Sequence, residues 1–143
     1  MIAKRADFAA AVRASFARQG AMQHIGARIE RIEPGECEIA VDYRPELTQQ
    51  NGFFHAGITS AIADSAGGYA AFSLFPEGAD VLTVEYKINL IEPARGQTLV
   101  AVGRVVRAGR LCATRLDVFA IENGVRTLCA IGQQTVMRMD PRR

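Results

Sequence analysis

Three kinds of apolar spacing divide the chain. Residues 6–19 place Phe8, Val12 and Phe16 four apart among Arg, Gln and Ser, which predicts an amphipathic helix closed by Gly20. Residues 25–33 and 36–43 alternate loosely on either side of Pro34-Gly35, a turn dipeptide, and predict a β-hairpin. Arg44-Pro45 breaks that pairing, and 46–54 reads as loop. A run of Ala, Gly, Ile, Ser and Thr follows and predicts a long central helix over about 56–75, stopped at Pro76-Glu77-Gly78. From there the period becomes two. In 79–92 it places Val84, Tyr86, Ile88 and Leu90 on one face and Thr83, Glu85, Lys87 and Asn89 on the other. Strands are predicted over 97–107, 110–122 and 125–139, with turns at Ala108-Gly109 and Asn123-Gly124. Both residues of the second turn tolerate the positive φ of a type I′ hairpin. A short polar tail, 140–143, ends the chain.

The order helix, hairpin, long helix, four strands predicts an α+β fold, one apolar helix against an antiparallel sheet of five or six strands. At 143 residues, 1–143 reads as a single domain with room for a core. A net charge of +2, with arginines scattered and no aromatic interleaving, argues against nucleic acid. Cys37, Cys112 and Cys129 are unclustered within strand-like runs, which points to reduced core thiols and not to a disulfide set or a metal site. The first residues contain no apolar signal segment, so a cytoplasmic protein is expected. The apolar run 57–75 is long enough to raise the question of a membrane span, but Asp64 at its centre and Gly67-Gly68 make it a core helix.

The chemistry concentrates in 49–68. Asp64 is the single acid in a run of small residues. Its helical neighbours Ser60, Ala61, Gly67 and Gly68 leave it in a shallow groove, where a carboxylate is either paired or used. The helix start at Ala56 and Gly57 offers N–H groups with no intrahelical partner, about half a positive charge between them, and small side chains that admit a ligand oxygen. That makes an oxyanion site. The same small residues also suit a tight loop-to-helix junction, and Asp64 also suits a tie to a buried hydroxyl. Eight residues separate Ala56 from Asp64, about 12 Å at 1.5 Å per residue. One carbonyl cannot touch both, since catalytic contacts need about 3 Å. Either one of the two is not catalytic, or two chains combine.

The sequence of amide, His55, small residue, Gly57, then Asp64 nine positions after the histidine resembles the hotdog-fold acyl-CoA thioesterases, most closely the phenylacetate-pathway (PaaI-type) branch. The likeness covers about residues 47–137. It implies a sheet curled around one buried helix and hydrolysis of an aryl- or medium-chain acyl-CoA. The implied site is composite, across a homodimer or dimer of dimers, with Asp64 as general base or nucleophile. Within it the Ala56 amide polarises the carbonyl, and Gln49 binds near the thioester. Thr83 orients water, and His55 either transfers a proton or braces the loop. The family's His-Gly-Gly is His55-Ala56-Gly57 here, so an Ala amide must serve, which it can if its φ is negative. No cofactor or metal is implied, because coenzyme A is part of the substrate. Arg95, Arg107 and Arg110, at turns, are candidates for its phosphates.

Other classes fit less well. There is no Gly-x-Ser-x-Gly, no His-Glu-x-x-His, and only two histidines. A cysteine nucleophile would come from Cys112 or Cys129, both inside strand patterns. The alternatives retained are a hotdog dehydratase or hydratase using His55 with Asp64, and a non-catalytic acyl-CoA-binding protein.

Overall fold

The computed structural model describes residues 1–141; Arg142 and Arg143, the end of the polar tail, lie outside the described residues. The elements in chain order are α1 (Phe8–Phe16), α2 (Gly20–Ile25), β1 (Arg28–Glu33), β2 (Glu36–Asp42), α3 (Ala56–Phe72), β3 (Asp80–Leu90), β4 (Thr98–Arg107), β5 (Leu111–Glu122) and β6 (Val125–Met139). The predicted first helix is shorter than its apolar spacing suggested. Gly20 does not cap it: Ala17 does, in right-handed geometry, and Gly20 opens α2. The left-handed cap is Gly26, with φ 73°. The Asn123-Gly124 turn has φ 50° and 80°, as a type I′ hairpin requires.

All six strands form one antiparallel sheet in the order β1-β2-β4-β5-β6-β3. After β2 the chain crosses through α3 to the far edge, so β3 has a partner on one side only. The sheet folds about α3. Cys37, Ile39 and Val41 of β2, Leu99 and Ala101 of β4, and Leu116 and Val118 of β5 share one buried cluster with Ile62, Ala66 and Ala70 of the helix. α3 is not amphipathic because it is enclosed on several sides: Phe16 stacks edge-on against Tyr69 at 5.8 Å, and Ser15 and Tyr69 share a 3.3 Å hydrogen bond. β4 meets the helix backbone to backbone. A Cβ on Gly103 would lie 2.4 Å from the Ala66 carbonyl, so glycine is required there.

One irregularity in β3 decides what the helix faces. Thr83 pairs with Val136 and Glu85 with Thr135, leaving Val84 as an extra residue in a β-bulge. Strict alternation put Thr83 on the face of Glu85, Lys87 and Asn89. The bulge corrects this. Thr83 shares the inner face with Tyr86, Ile88 and Leu90, whose cross-strand partners are Gln134, Gly132 and Ala130. No helix among the described residues is long and apolar enough to cross a membrane.

Candidate active site

The helix start is built by its loop. His55 N donates to Leu47 O at 2.9 Å and Phe54 N to Ala94 O at 3.1 Å, which pins the chain where it turns into α3. His55 is the N-cap, and its Nδ1 accepts from Gly57 N at 2.8 Å. That contact places the ring proton of neutral His55 on Nε2 and occupies the Gly57 N–H. Ile58 N and Thr59 N both turn back to His55 O. Of the first helical donors, only the Ala56 N–H has no partner within the chain among the described residues. Among the described residues Asn123 is the only non-glycine with positive φ, so Ala56 has the backbone an alanine accepts readily. Gln49 lines the same cavity, of about 450 Å³, with Ala56, Phe53 and Leu90. Its Oε1 takes the Asn51 N–H, leaving the amide NH₂ unengaged among the described residues.

Asp64 lies two turns further along, half-buried, beside a second cavity of about 270 Å³ walled by Gln19, Tyr69, Gly68 and Thr83. The two cavities share no lining residue. Thr83 Oγ1 donates to Asp64 Oδ1 at 2.7 Å. A residue the sequence reading did not single out completes the arrangement. Gln134 of β6, 1% exposed, directs its Nε2 at Asp64 Oδ1, at Asp64 O (3.1 Å) and at Thr83 Oγ1 (3.1 Å). Its Oε1 accepts from Thr114 Oγ1 at 3.0 Å. The signal was present in the alternation Ala130, Gly132, Gln134, Val136, which puts one amide on an otherwise apolar face.

The two glycines after Asp64 differ in role. A Cβ on Gly67 would fall 2.0 Å from Gln134 Oε1 and 2.6 Å from Leu116 Cδ2, whereas a Cβ on Gly68 would meet nothing within 4 Å. Gly67 lets Gln134 reach the helix; Gly68 leaves the cavity beside Asp64 open.

The structure does not gather the three candidate arginines. Arg95 lies over the Phe53 ring, 5.1 Å from its centroid, at the helix-start end. Arg107 closes β4 and Arg110 lines a cavity with Leu74 and Phe75, both at the opposite end, where α3 finishes. All three cysteines are buried and unbonded to one another. Burial pushes the Cys37 thiol up to about 12 and the Cys129 thiol up to about 11, so neither supplies thiolate near neutral pH. Cys129 borders the helix-start cavity, yet it donates to Val118 O at 3.4 Å. No cluster of three or more His, Cys, Asp or Glu is arranged to hold a metal among the described residues.

Comparison with known proteins agrees with this architecture. Residues 51–121 match the family model of the thioesterase superfamily. A solved thioesterase family protein from Silicibacter pomeroyi is 44% identical, covering 94% of this chain and 99% of its own, with a TM-score of 0.92. A Halobacterium salinarum protein named "Putative esterase" is 34% identical over 108 residues, 72% of this chain and 71% of its own. The Escherichia coli PaaI protein of the phenylacetic acid degradation operon shares the fold, with a TM-score of 0.81 at 15% identity over 93% of this chain and 94% of its own. The chain belongs to the thioesterase superfamily, has its hotdog fold, and falls with hydrolases of thioesters.

Proposed function

We propose that the protein is an acyl-CoA thioesterase of the PaaI type, acting on aryl or medium-chain acyl groups through a site shared by two copies of the chain. The observation that carries this is Asp64, held through one oxygen by Thr83 and Gln134, with an open cavity beside it. About 12 Å away along the helix is a start whose one free donor among the described residues is the Ala56 N–H. On the partner chain that donor would sit opposite Asp64 if the two central helices run antiparallel. The edge strand β3 supports such a dimer. Tyr86 and Leu90 point to the helix side of the sheet, yet are 47% and 55% exposed, and an unpaired strand edge carrying exposed apolar side chains calls for a cover.

In the base route, Asp64 takes a proton from water as the water oxygen adds to the thioester carbon. The Ala56 N–H holds the resulting oxyanion. Collapse expels the CoA thiolate, which takes from Asp64 the proton that came from water, giving acid and thiol. In the nucleophile route, an Asp64 oxygen itself adds and expels the thiolate, and water then hydrolyses the acyl anhydride. Coenzyme A enters as part of the substrate, and no further cofactor is proposed. The dehydratase alternative asks His55 to move protons. Its use of Nδ1 as a helix cap favours the bracing role instead.

A panel of aryl- and medium-chain acyl-CoAs with thiol detection tests the reading. Thiol release is expected, with at least about a hundredfold lost in Asp64→Asn, the scale of a general base. Label in Asp64 after a single turnover in ¹⁸O-water identifies the nucleophile route, since it enters only when water opens the anhydride at the Asp64 carbonyl carbon. Hydration without thiol, or binding without turnover, would overturn the thioesterase assignment.

A further inference from the structure

Asp64 receives both of its side-chain hydrogen bonds on the same oxygen. Thr83 Oγ1 and Gln134 Nε2 converge on Oδ1, and among the described residues no side chain or backbone donor reaches Oδ2. The orientation of the Gln134 amide is not arbitrary. Its oxygen faces the Thr114 hydroxyl at 3.0 Å, so its NH₂ faces the carboxylate. A flipped amide would set oxygen against oxygen. Thr114 is fully buried and Gln134 nearly so, and the absence of a side chain at Gly67 is what makes room for the amide oxygen. A buried glutamine brought through a helix by a glycine, anchored at one end and aimed at an acid at the other, is a costly arrangement for mere packing.

From this geometry we infer that Gln134 is a positioning residue for hydrolysis: with Thr83 it fixes the Asp64 carboxylate by Oδ1 and presents Oδ2 as the reacting oxygen. Gln134 is not among the residues lining the cavity beside Asp64, so it acts through Asp64 and not on substrate. Thr114 sets the amide and Gly67 admits it. The inference rests on the thioesterase reading above, with Asp64 as the reacting group.

The test uses Gln134→Glu, which keeps shape but replaces the NH₂ donor with an oxygen, and Gln134→Met, which keeps length without polarity. Each is made in the native chain and in Asp64→Asn. In the native background, kcat for thiol release is expected to fall at least about tenfold while KM stays within about threefold, the pattern of an interaction used in the transition state. In the Asp64→Asn background the same changes should have no further effect, because their route to the reaction is already gone. Thr114→Val, which leaves the glutamine in place but removes its anchor, should lower kcat in the same direction by less, and it reads the inference if either Gln134 variant fails to fold. Native-like kcat in a folded Gln134 variant, or an equal loss in both backgrounds, would overturn the positioning role. If instead Asp64→Asn itself retained thiol release, Asp64 would fail as the reacting group of that reading, and that result is distinct from either.

Discussion

Thr83 and Asp64, nineteen residues apart, meet at 2.7 Å because Val84 bulges out of β3. Without the extra residue in the ladder, Thr83 would lie on the outer face with Lys87. Thr83→Val removes a hydrogen bond to a charged group, worth about 1.5–3 kcal/mol, and is expected to lower kcat by tenfold or more. Thr83→Ser keeps the hydroxyl and should retain most of the rate. Steady-state kinetics on both variants, with circular dichroism to confirm folding, checks the contrast.

Gly67 and Gly68 should respond oppositely to the same substitution. Gly67→Ala drives a methyl into Gln134 and Leu116, and overpacking of this kind costs about 1–3 kcal/mol. Gly68→Ala meets no atom and gains about 1 kcal/mol of helix propensity, yet it narrows the cavity at Asp64. The thermal midpoint should drop in the first variant and hold or rise in the second. In the second, KM should rise for bulky acyl-CoAs more than for small ones.

A two-chain site predicts complementation. Asp64→Asn disables one half, and Ala56→Pro disables the other by removing the free N–H. Proline is tolerated at a first helical position, so the fold should survive. Mixed and re-equilibrated, the two inactive proteins should recover activity above either parent through heterodimers that hold one intact site. A monomeric active species in analytical ultracentrifugation would count against the shared site.

The two groups of arginines lie at opposite ends of α3, so one chain cannot use all of them on one CoA. If Arg107 and Arg110 hold the phosphates, Arg107→Ala with Arg110→Ala raises KM for acyl-CoA with little change in kcat, as loss of uniform binding does. An acyl-pantetheine lacking the nucleotide should be indifferent to the pair. Arg95→Ala, tested in parallel, assigns the other end.

The buried thiols set an alkaline limit on stability. Cys37 and Cys129 have ordinary values of 9.0 and are raised in the fold to about 12 and about 11 by burial. Between those limits the unfolded chain binds fewer protons than the folded one, so stability falls as pH rises. Below pH 9 their contribution is fully present, and above about 12 it is lost. Urea unfolding from pH 8 to 11 should show this fall, reduced in Cys37→Ala with Cys129→Ala. At pH 8 native protein should resist iodoacetamide at both positions.

The local patterns of this sequence determined its elements and much of its chemistry. Period-two alternation found the four long strands, Asn123-Gly124 their tightest turn, and the lone Asp64 among small residues the candidate for the reacting group. Spacing alone separated Ala56 from Asp64 by too much helix for one carbonyl. These are short-range signals, carried by residues a few positions apart. The tertiary structure decided what depends on pairing between distant strands. The bulge at Val84 turns Thr83 inward against its local alternation, a property of the β3–β6 ladder and not of β3. Gln134 became a partner of Asp64 because β6 passes beneath Gly67, seventy residues away along the chain from the acid. His55, open to two roles in sequence, became a helix cap because its ring folds back onto the Gly57 N–H. Arg95 was parted from Arg107 and Arg110 because β4 runs the length of the helix. Side-chain chemistry was legible in the order of residues, and partnership was not, because long-range register selects which groups meet.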